Sequence, residues 1–137
     1  MTTAAAPLVS VVMPAYQHAA YVRRAVESVL EQTVKDIELI VVDDGSTDGT
    51  PDIVASIRDP RIQLLRLAEN RREHARNQAL ALATGRYVAF QNSDDEWLPE
   101  KLARQLEVLE SRPEVGVVFT EVALIDGSGN PVTASWA

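Results

Sequence analysis

The sequence predicts an α/β fold, with a Rossmann-like, doubly wound and mainly parallel sheet covered by helices on both faces. Two observations lead to this class. Short runs of β-branched residues alternate along the chain with segments of helical period, and parallel strands need such crossover connections. The chain has 137 residues, 46% of them hydrophobic, which is enough for one compact core. We therefore expect a single domain over residues 1–137.

The first half of the chain alternates two strands with two helices. Residues 8–13 predict a buried strand that the next residue, a proline, ends. Apolar residues at helical spacing predict an amphipathic helix over residues 20–32, and residues 37–42 form the second strand. Thr50 followed by Pro51 is typical of an N-cap with proline at the first helical position, so a second helix begins there.

The next segment repeats this order. Residues 61–67 alternate polar and apolar side chains and predict a third strand, less buried than its neighbours. An alanine- and leucine-rich stretch favours a third helix over residues 73–83, ended by Gly85. Residues 86–90 predict the fourth strand.

The last part of the chain predicts one more helix and one more strand. Pro99 opens the fourth helix, whose inward stripe consists of Leu98, Leu102, Leu106 and Leu109. Residues 115–120, "VGVVFT", predict a fifth strand. The following "DGSGN", residues 126–130, has the turn chemistry of a hairpin.

Composition excludes several classes of protein. The formal net charge of −7 works against binding a nucleic acid backbone, which requires clustered Lys and Arg. There is no cysteine for a disulfide or a thiolate metal site. The longest apolar runs fall far short of the roughly 20 residues of a membrane helix, and the start lacks the basic region of a signal peptide. We expect a cytoplasmic chain with no transmembrane segment and no nucleic acid partner.

Two predicted strands each deliver a pair of carboxylates into a loop. Asp43 and Asp44 follow the second strand, and Asp94 and Asp95 follow the fourth. Ligands of open parallel sheets bind beyond the carboxyl ends of the strands, so the two pairs are expected to share a cleft. Such carboxylates can hold Mg²⁺ or Mn²⁺, or accept hydrogen bonds from a nucleobase or ribose. Solvated turn residues are the alternative interpretation.

Basic residues occur at the start of the predicted third helix, in "NRREHARN". Free backbone N–H groups at a helix start favour an anion, and a diphosphate would suit them. Arg76 is the better candidate, because it lies in an otherwise apolar stretch. Arg71, Arg72 and Glu73 fit an exposed charged turn.

Three further side chains have ordinary structural interpretations. Neither His18 nor His74 has the paired spacing of a metal site, and His74 is expected at the surface or at a helix cap. Trp97 is expected to anchor the fourth helix rather than to stack on a base.

Several motifs occur in an order that resembles one known family. They are "VSVVMPAYQHAAYVRRAVESVLEQT", "IELIVVDDGSTDGT" and "ARNQALALATGRYVAFQNSDDEWLPEKLARQ". Together they resemble the N-terminal, nucleotide-sugar-binding half of family 2 glycosyltransferases with the GT-A fold, over about residues 9–119. The resemblance implies transfer of a hexose from a nucleotide-diphosphate sugar, a UDP-sugar, to a saccharide or other hydroxyl acceptor with inversion. It also implies a role in cell-envelope polysaccharide biosynthesis.

The resemblance assigns a nucleoside site to the ends of the first two strands. The residues it implies there are Pro14, Ala15, Tyr16, Asp43 and Asp44. The first three would line the base pocket, and Asp44, with Asp43, would hold the base.

The diphosphate end of the donor is implied to lie near the third helix and the fourth-strand loop. Arg76 and Asn77 would lie near the base or diphosphate. Asp94 and Asp95 would contact the ribose and the divalent cation, Mn²⁺ or Mg²⁺, that bridges the diphosphate.

The sequence departs from the family pattern at two places. Asn92 stands where the family often has Asp, and an amide is a poorer ligand for a hard cation. The family's glycine before "ARN" is missing, and that loop is one residue shorter here. The general base of the family lies beyond the length of this chain, so no catalytic residue is assigned. We expect a truncated part of a longer enzyme that binds a nucleotide sugar weakly and does not transfer it.

Two other functions remain open at this point. A binding-only module would keep the nucleotide pocket without catalysis, which Asn92 and the missing acceptor half favour. A receiver-type signalling domain also uses acidic strand ends, but its acidic pair is expected after the first strand. That strand ends here in "MPAYQ".

Overall fold

A four-stranded parallel sheet forms the centre of the protein in a computed structural model that describes residues 5–133. Its strands are β1 (Val9–Ala15), β2 (Ile37–Asp43), β3 (Ile62–Arg66) and β4 (Tyr87–Phe90). Their order in the sheet is β3-β2-β1-β4, and every neighbouring pair is parallel. β1 and β2 pair along their whole length, so both central strands end at the same edge. The predicted α/β class and parallel sheet are confirmed.

Helices cover both faces of this sheet. They are α1 (Val22–Leu30), α2 (Thr50–Ser56), α3 (Glu73–Leu82) and α4 (Lys101–Ser111). α1, α2 and α4 pack in one apolar cluster with the sheet, and α3 packs in a second cluster. The doubly wound arrangement expected from the sequence is therefore present.

The central strands are buried because their side chains alternate between the two clusters. Val11 and Leu39 belong to the larger cluster, whereas Val12 and Ile40 belong to the cluster with two buried alanines of α3. All four are fully buried, as expected for a parallel sheet covered on both faces. Their rigid packing fixes the points from which the loops at the carboxyl edge begin.

Proline 14 does not end the first strand as predicted. β1 continues to Ala15, and Pro14 is in register with Val42 of β2. Proline has no N–H to donate, but the β1–β4 pairing already ends at Val12 and Phe90. The strand therefore keeps its pairing with β2 up to the residue before Tyr16.

Two predicted helix ends were also wrong in detail. Gly49, with φ of 88°, is the residue before α2, and Thr50 is already helical. The Thr50 backbone N–H donates to Asp48 Oδ1 at 3.0 Å, so Asp48 rather than Thr50 supplies the side-chain oxygen that accepts a backbone N–H at the start of this helix. α3 ends at Leu82, three residues before Gly85.

Gly85 is required for a close contact rather than for a helix end. Its backbone N–H donates to Ser10 Oγ at 2.7 Å, and a Cβ added to it would lie 2.7 Å from Ser10 N. The Glu38 carboxylate accepts hydrogen bonds there from Ser10 Oγ and from the backbone and hydroxyl of Thr84. Burial raises the pKa of Glu38, but these hydrogen bonds together hold that pKa below its usual value of 4.5.

The chain after α4 differs most from its prediction. Residues 115–120 are not a strand, and Val117 and Phe119 are 67% and 89% exposed. A strand needs a ladder partner, and this segment pairs with none of the strands in the described part of the chain. Leu98, predicted on the inward stripe, is 81% exposed, whereas Leu102 and Leu106 are buried as expected.

The predicted turn at residues 126–130 is present. Asp126 Oδ1 accepts the backbone N–H groups of Ser128 and Asn130, each at 2.9 Å. Only one bridge, between Ile125 and Pro131, flanks the turn within residues 5–133, so the hairpin is minimal. None of the described helices is long and apolar enough to cross a membrane.

Candidate functional site

A concave cleft of about 380 Å³ opens at the carboxyl edge of the sheet, between the loops that follow the four strands. This volume falls in the range of roughly 300–1,000 Å³ that is typical of small-molecule pockets. Its lining residues come from four chain segments, one at the carboxyl end of each strand: Pro14, Ala15, Tyr16, His18, Asp44, Asn70, Arg72, Asn92, Ser93 and Asp94. Five of the nine residues predicted to form the site are among them.

The loops after β1 and β2 are tied together by side-chain hydrogen bonds. The backbone N–H of Gln17 donates to Ser46 Oγ at 2.9 Å, and the Gln17 amide exchanges two further hydrogen bonds with Thr47. Gln17 has φ of 53°, a conformation that costs a non-glycine residue of order 1–3 kcal/mol. These contacts hold the backbone of Tyr16 and His18 at the cleft.

Asp48 strengthens the same connection. Its Oδ2 accepts the Ala19 N–H, and its Oδ1 accepts both the hydroxyl and the N–H of Thr50. The hydrogen bond from the Thr50 hydroxyl lowers the pKa of Asp48, followed by that from the Ala19 N–H. Thr50 Oγ1 in turn accepts the His18 N–H at 3.0 Å. The first loop is therefore anchored on the start of α2.

Asp43 does not line the cleft. It is 2% exposed, and its Oδ2 accepts the Ser46 N–H at 3.0 Å, whereas its Oδ1 has no partner among the described residues. Its visible role is to shape the loop after β2. Asp43 is not among the residues that line the cleft, so its contact with a base stays a prediction.

Asp44 lines the cleft although it is only 4% exposed. Its two carboxylate oxygens accept the backbone N–H groups of Arg71 and Arg72, at 2.6 and 2.7 Å. Arg72 has φ of 51° and ψ of −108°, outside the regions that L residues favour. Such a backbone conformation costs of order 1–3 kcal/mol, and the hydrogen bonds from Asp44 hold Arg72 in it at the cleft.

The loop after β4 contributes the other wall residues. Ser93 is 2% exposed, and its Oγ lies 2.7 Å from His18 Nδ1. Asp94 lines the cleft beside them, with Oδ2 3.8 Å from His18 Nε2. His18 therefore joins the loops after β1 and β4 at the same point where Asp94 faces the cleft.

Asp95 and Glu96 make contacts of their own next to this wall. The Asn92 side-chain amide donates to Asp95 Oδ2 at 2.9 Å, and Gln91 Nε2 donates to the Asp95 carbonyl oxygen at the same distance. Glu96 forms an ion pair with Arg24 of α1. Asp94 is thus the acidic residue of this loop that lines the cleft, with Asp95 adjacent to it.

Asp94 and Asp95 can bind a hard divalent cation only if a substrate supplies further oxygen ligands to that cation. The described residues contain no group of three or more His, Cys, Asp or Glu side chains placed to hold a metal. Mg²⁺, however, is often bound by one or two carboxylates together with substrate phosphates. Asp94 has a side chain 46% exposed, and the Asp95 Oδ1 atom is outside the hydrogen bond with Asn92. This donor set suits a cation shared with a diphosphate.

Arg76 and Asn77 lie outside the cleft lining. Both are exposed residues of α3, and the Arg76 guanidinium lies 6.0 Å from the centre of the Phe90 ring, at the end of β4. The structure thus does not bring these two predicted residues together with Asp44 and Asp94.

Five lining residues are not among the predicted site residues: His18, Asn70, Arg72, Asn92 and Ser93. Arg72 was interpreted as part of a solvated turn, and its positive φ depends on a contact with Asp44 far away in the sequence. The sequence argues against His18 as a metal ligand and assigns it no other role. Its position just after the end of β1 is a signal that could have placed it at the carboxyl edge. The role of Trp97 was predicted correctly, because it is 9% exposed within the larger apolar cluster.

Comparison with known proteins gives one family. The family model described as "Glycosyl transferase family 2" matches residues 10–135. This range covers the sheet from the second residue of β1 onward and every residue that lines the cleft.

Curated proteins of bacteria are similar over most of the chain. TuaG of Bacillus subtilis (strain 168), described as a teichuronic acid biosynthesis glycosyltransferase, is 45% identical over 129 residues, which are 92% of this chain and 51% of that protein. WfaP of Escherichia coli, named a UDP-Glc:alpha-D-GlcNAc-diphosphoundecaprenol beta-1,3-glucosyltransferase, is 43% identical over 105 residues, or 76% of this chain and 42% of that protein.

Solved structures share the fold. TarS 1–349 of S. aureus in complex with UDP-GlcNAc has a TM-score of 0.72 at 31% identity, covering 77% of this chain and 32% of that one. The mannosyltransferase PcManGT of Pyrobaculum calidifontis, in complex with GDP-Man and Mn²⁺, has a TM-score of 0.73 at 33% identity, covering 82% and 34%. The chain spans about half, or less, of the length of the relatives described here.

Proposed function

Because the chain belongs to glycosyltransferase family 2 and has the GT-A fold, we propose that it forms the donor-binding part of an enzyme that transfers a hexose from a UDP-sugar to a hydroxyl acceptor. Its similarity to TuaG supports cell-envelope polysaccharide biosynthesis as the setting. A cytoplasmic location is part of the same proposal.

The observation that carries this proposal is that Asp44 and Asp94 line one cleft, together with the end of β1. They come from separate loops, yet the parallel sheet brings both to its carboxyl edge. A nucleoside diphosphate has a base with hydrogen-bond donors and a charged diphosphate. A cleft with a buried acceptor and a more exposed carboxylate offers a suitable contact for each.

We assign the base to the side of the cleft formed by Pro14, Ala15, Tyr16 and Asp44. Tyr16 is 44% exposed, so part of its ring is available for a ligand to cover. The Asp44 carboxylate is fixed by two backbone N–H groups, and each of its oxygens retains lone pairs that can accept a hydrogen bond from a base.

The diphosphate belongs on the side of Asp94 and Asp95 in this proposal. A divalent cation shared between these carboxylates and the diphosphate would stabilise negative charge on the leaving group. The residues themselves position the donor: Asp94 faces the cleft, and Asn92 holds the Asp95 side chain by a hydrogen bond.

Transfer with inversion requires a base that removes the proton of the acceptor hydroxyl. We assign no residue of this chain to that step. The relatives are about twice as long or longer, and we propose that transfer needs the part that corresponds to their remaining length. The 137-residue chain is then expected to bind the donor nucleotide without transferring sugar.

Calorimetric titration of the chain with UDP, with and without Mn²⁺, tests this function. We expect saturable binding that Mn²⁺ strengthens. UDP-sugar turnover by the same chain in the presence of saccharide acceptors would contradict the expected need for the remaining part. No binding of UDP under either condition would contradict the proposal itself.

A binding-only module is the second candidate, and one observation favours it. Asn92 stands in the acidic loop and uses its amide to hold Asp95, where a carboxylate would add a metal ligand. A sugar-transfer assay of the full-length protein separates the two functions, and Asn92→Asp then tests whether the amide at this position is the cause of any lost transfer. An active enzyme shows transfer before the change, whereas a binding-only module shows none. The receiver alternative is set aside by the family to which the chain belongs.

A further inference from the structure

Arg72 is a charged residue of the cleft to which the proposed function gives no role. It lines the cleft together with Asp44, His18 and Asp94. The neighbouring Arg71 has the same charge but does not line the cleft. The two arginines therefore differ in position although they are adjacent in sequence.

The backbone of Arg72 is held in a conformation that glycine adopts more readily. Its φ is 51°, and its N–H is bound by Asp44 Oδ2 at 2.7 Å and by Asn70 Oδ1 at 3.1 Å. The sequence lacks a glycine in this loop, so the strained conformation is adopted by a long cationic side chain. A strained residue that lines a cleft is a reason to look for a function of its side chain.

The guanidinium of Arg72 has no carboxylate within 4.0 Å among the described residues, although Arg23, Arg24 and Arg61 each have one. A guanidinium carries five N–H donors in a planar fork and remains charged at all ordinary pH values. In a concave site, this group is suited to a phosphate, which it can bind with two parallel hydrogen bonds.

We propose that Arg72 is a donor-positioning residue that binds the diphosphate of the nucleotide through its guanidinium, with Asp44 holding its backbone in place. This inference rests on the proposed function and adds to it a cationic contact that needs no metal. It also explains why Asp44 binds two consecutive backbone N–H groups of the 71–72 segment.

Protein-observed NMR titrations of the 137-residue chain with UDP, UMP and uridine test this contact without a metal. Arg72→Gln is expected to weaken UDP binding about tenfold or more, since hydrogen bonds to charged groups are among the stronger ones, and to leave uridine binding unchanged. Arg71→Gln is the matched control and should change neither affinity. Arg72→Lys should keep part of the UDP affinity, because it keeps the charge.

Two further measurements distinguish loss of the guanidinium contact from a change in the structure of the loop. Arg72→Gly removes the strain and is expected to fold at least as stably, yet it should lose as much UDP affinity as Arg72→Gln. Raising the salt concentration should weaken UDP binding less in Arg72→Gln than in the unchanged protein.

The outcomes separate this inference from the function on which it rests. Equal UDP affinity of Arg72→Gln and the unchanged chain overturns the Arg72 contact alone. An equal loss for uridine also overturns it, because the contact would then be with the nucleoside. Absence of any UDP binding by the unchanged chain overturns both proposals.

Discussion

His18 Nδ1 lies 2.7 Å from Ser93 Oγ and so joins the loop after β1 to the loop after β4. The two strands pair only up to Val12 and Phe90, so this contact continues their association beyond the sheet. Ser93 is almost fully buried, whereas the His18 side chain is about one third exposed. The geometry of the cleft therefore depends on a side-chain bond as well as on the strands.

Ser93→Ala is expected to lower the free energy of unfolding by about 0.5–1.5 kcal/mol, because it removes one hydrogen bond at a buried position. Ser128 gives the control, since it is an exposed residue of the turn at residues 126–130 and Ser128→Ala should change stability little. Urea unfolding measures both. Equal stability of the two variants would mean that the His18–Ser93 contact does not hold the loops together.

Asp44→Asn is expected to loosen residues 70–72. An amide can accept through only one of its two side-chain atoms, so one of the N–H groups of Arg71 and Arg72 loses its acceptor, at a cost of about 1–3 kcal/mol when buried. Hydrogen exchange at these two amides should become faster. Asp52→Asn, at an exposed ion pair with Arg66, is the control and should leave their exchange rates unchanged.

The parts of the fold that depend on the local sequence alone could be predicted, whereas the parts that depend on a distant partner could not. β1 and β2 were predicted from continuous apolar runs, because a strand covered on both faces buries every side chain. The 115–120 run looks the same in sequence but forms no strand here, because a strand also requires a partner. Local pattern alone does not show whether that partner is present.

In the candidate site, too, some residues could be predicted from strand order, whereas others depend on contacts that are distant in sequence. Asp44 and Asp94 were predicted to share a cleft, since the strand-end rule depends only on strand order and direction. Arg72 could not be assigned in this way, because its backbone conformation is set by a carboxylate 28 residues earlier in the chain. Arg76 was favoured for its apolar surroundings, yet those neighbours belong to the buried side of α3 and Arg76 itself is exposed.

Gly85→Ala is expected to destabilise the protein by about 1–3 kcal/mol, the range typical of overpacking. The new Cβ would lie 2.7 Å from the backbone nitrogen of Ser10, which cannot move without shifting β1. Gly116→Ala is a matched control, because nothing lies within 4 Å of its added Cβ. Urea midpoints should fall for Gly85→Ala and not for Gly116→Ala. Equal midpoints would show that β1 yields easily at Ser10.

Stability should fall in acid partly through Glu38. Its pKa is lower in the folded chain than its usual value of 4.5, so its contribution is present above that pH and is lost as pH falls through the folded pKa. Glu38→Gln should therefore be less stable than the unchanged protein near neutral pH, and the difference should shrink below pH 4.5. Urea unfolding at several pH values measures this. Glu107→Gln on the exposed side of α4 is the comparison, and a difference for Glu38→Gln that is constant with pH would contradict the prediction.

The acidic loop after β4 should determine the effect of Mn²⁺ on UDP binding. Asp94 lines the cleft and Asp95 follows it, so Asp94→Asn and Asp95→Asn should each remove most of the strengthening that Mn²⁺ gives, while binding without metal changes much less. Glu96→Gln is the matched control from the same loop, because Glu96 is engaged with Arg24 rather than facing the cleft. Calorimetric titration with UDP, with and without Mn²⁺, gives the ratio of the two affinities for each variant. Paramagnetic broadening by Mn²⁺ adds a second readout, since in the presence of UDP it should be strongest at the amides of Asp94, Asp95 and His18. If Glu96→Gln reduced the Mn²⁺ effect as much as Asp94→Asn, the cation would not be bound where the cleft places Asp94.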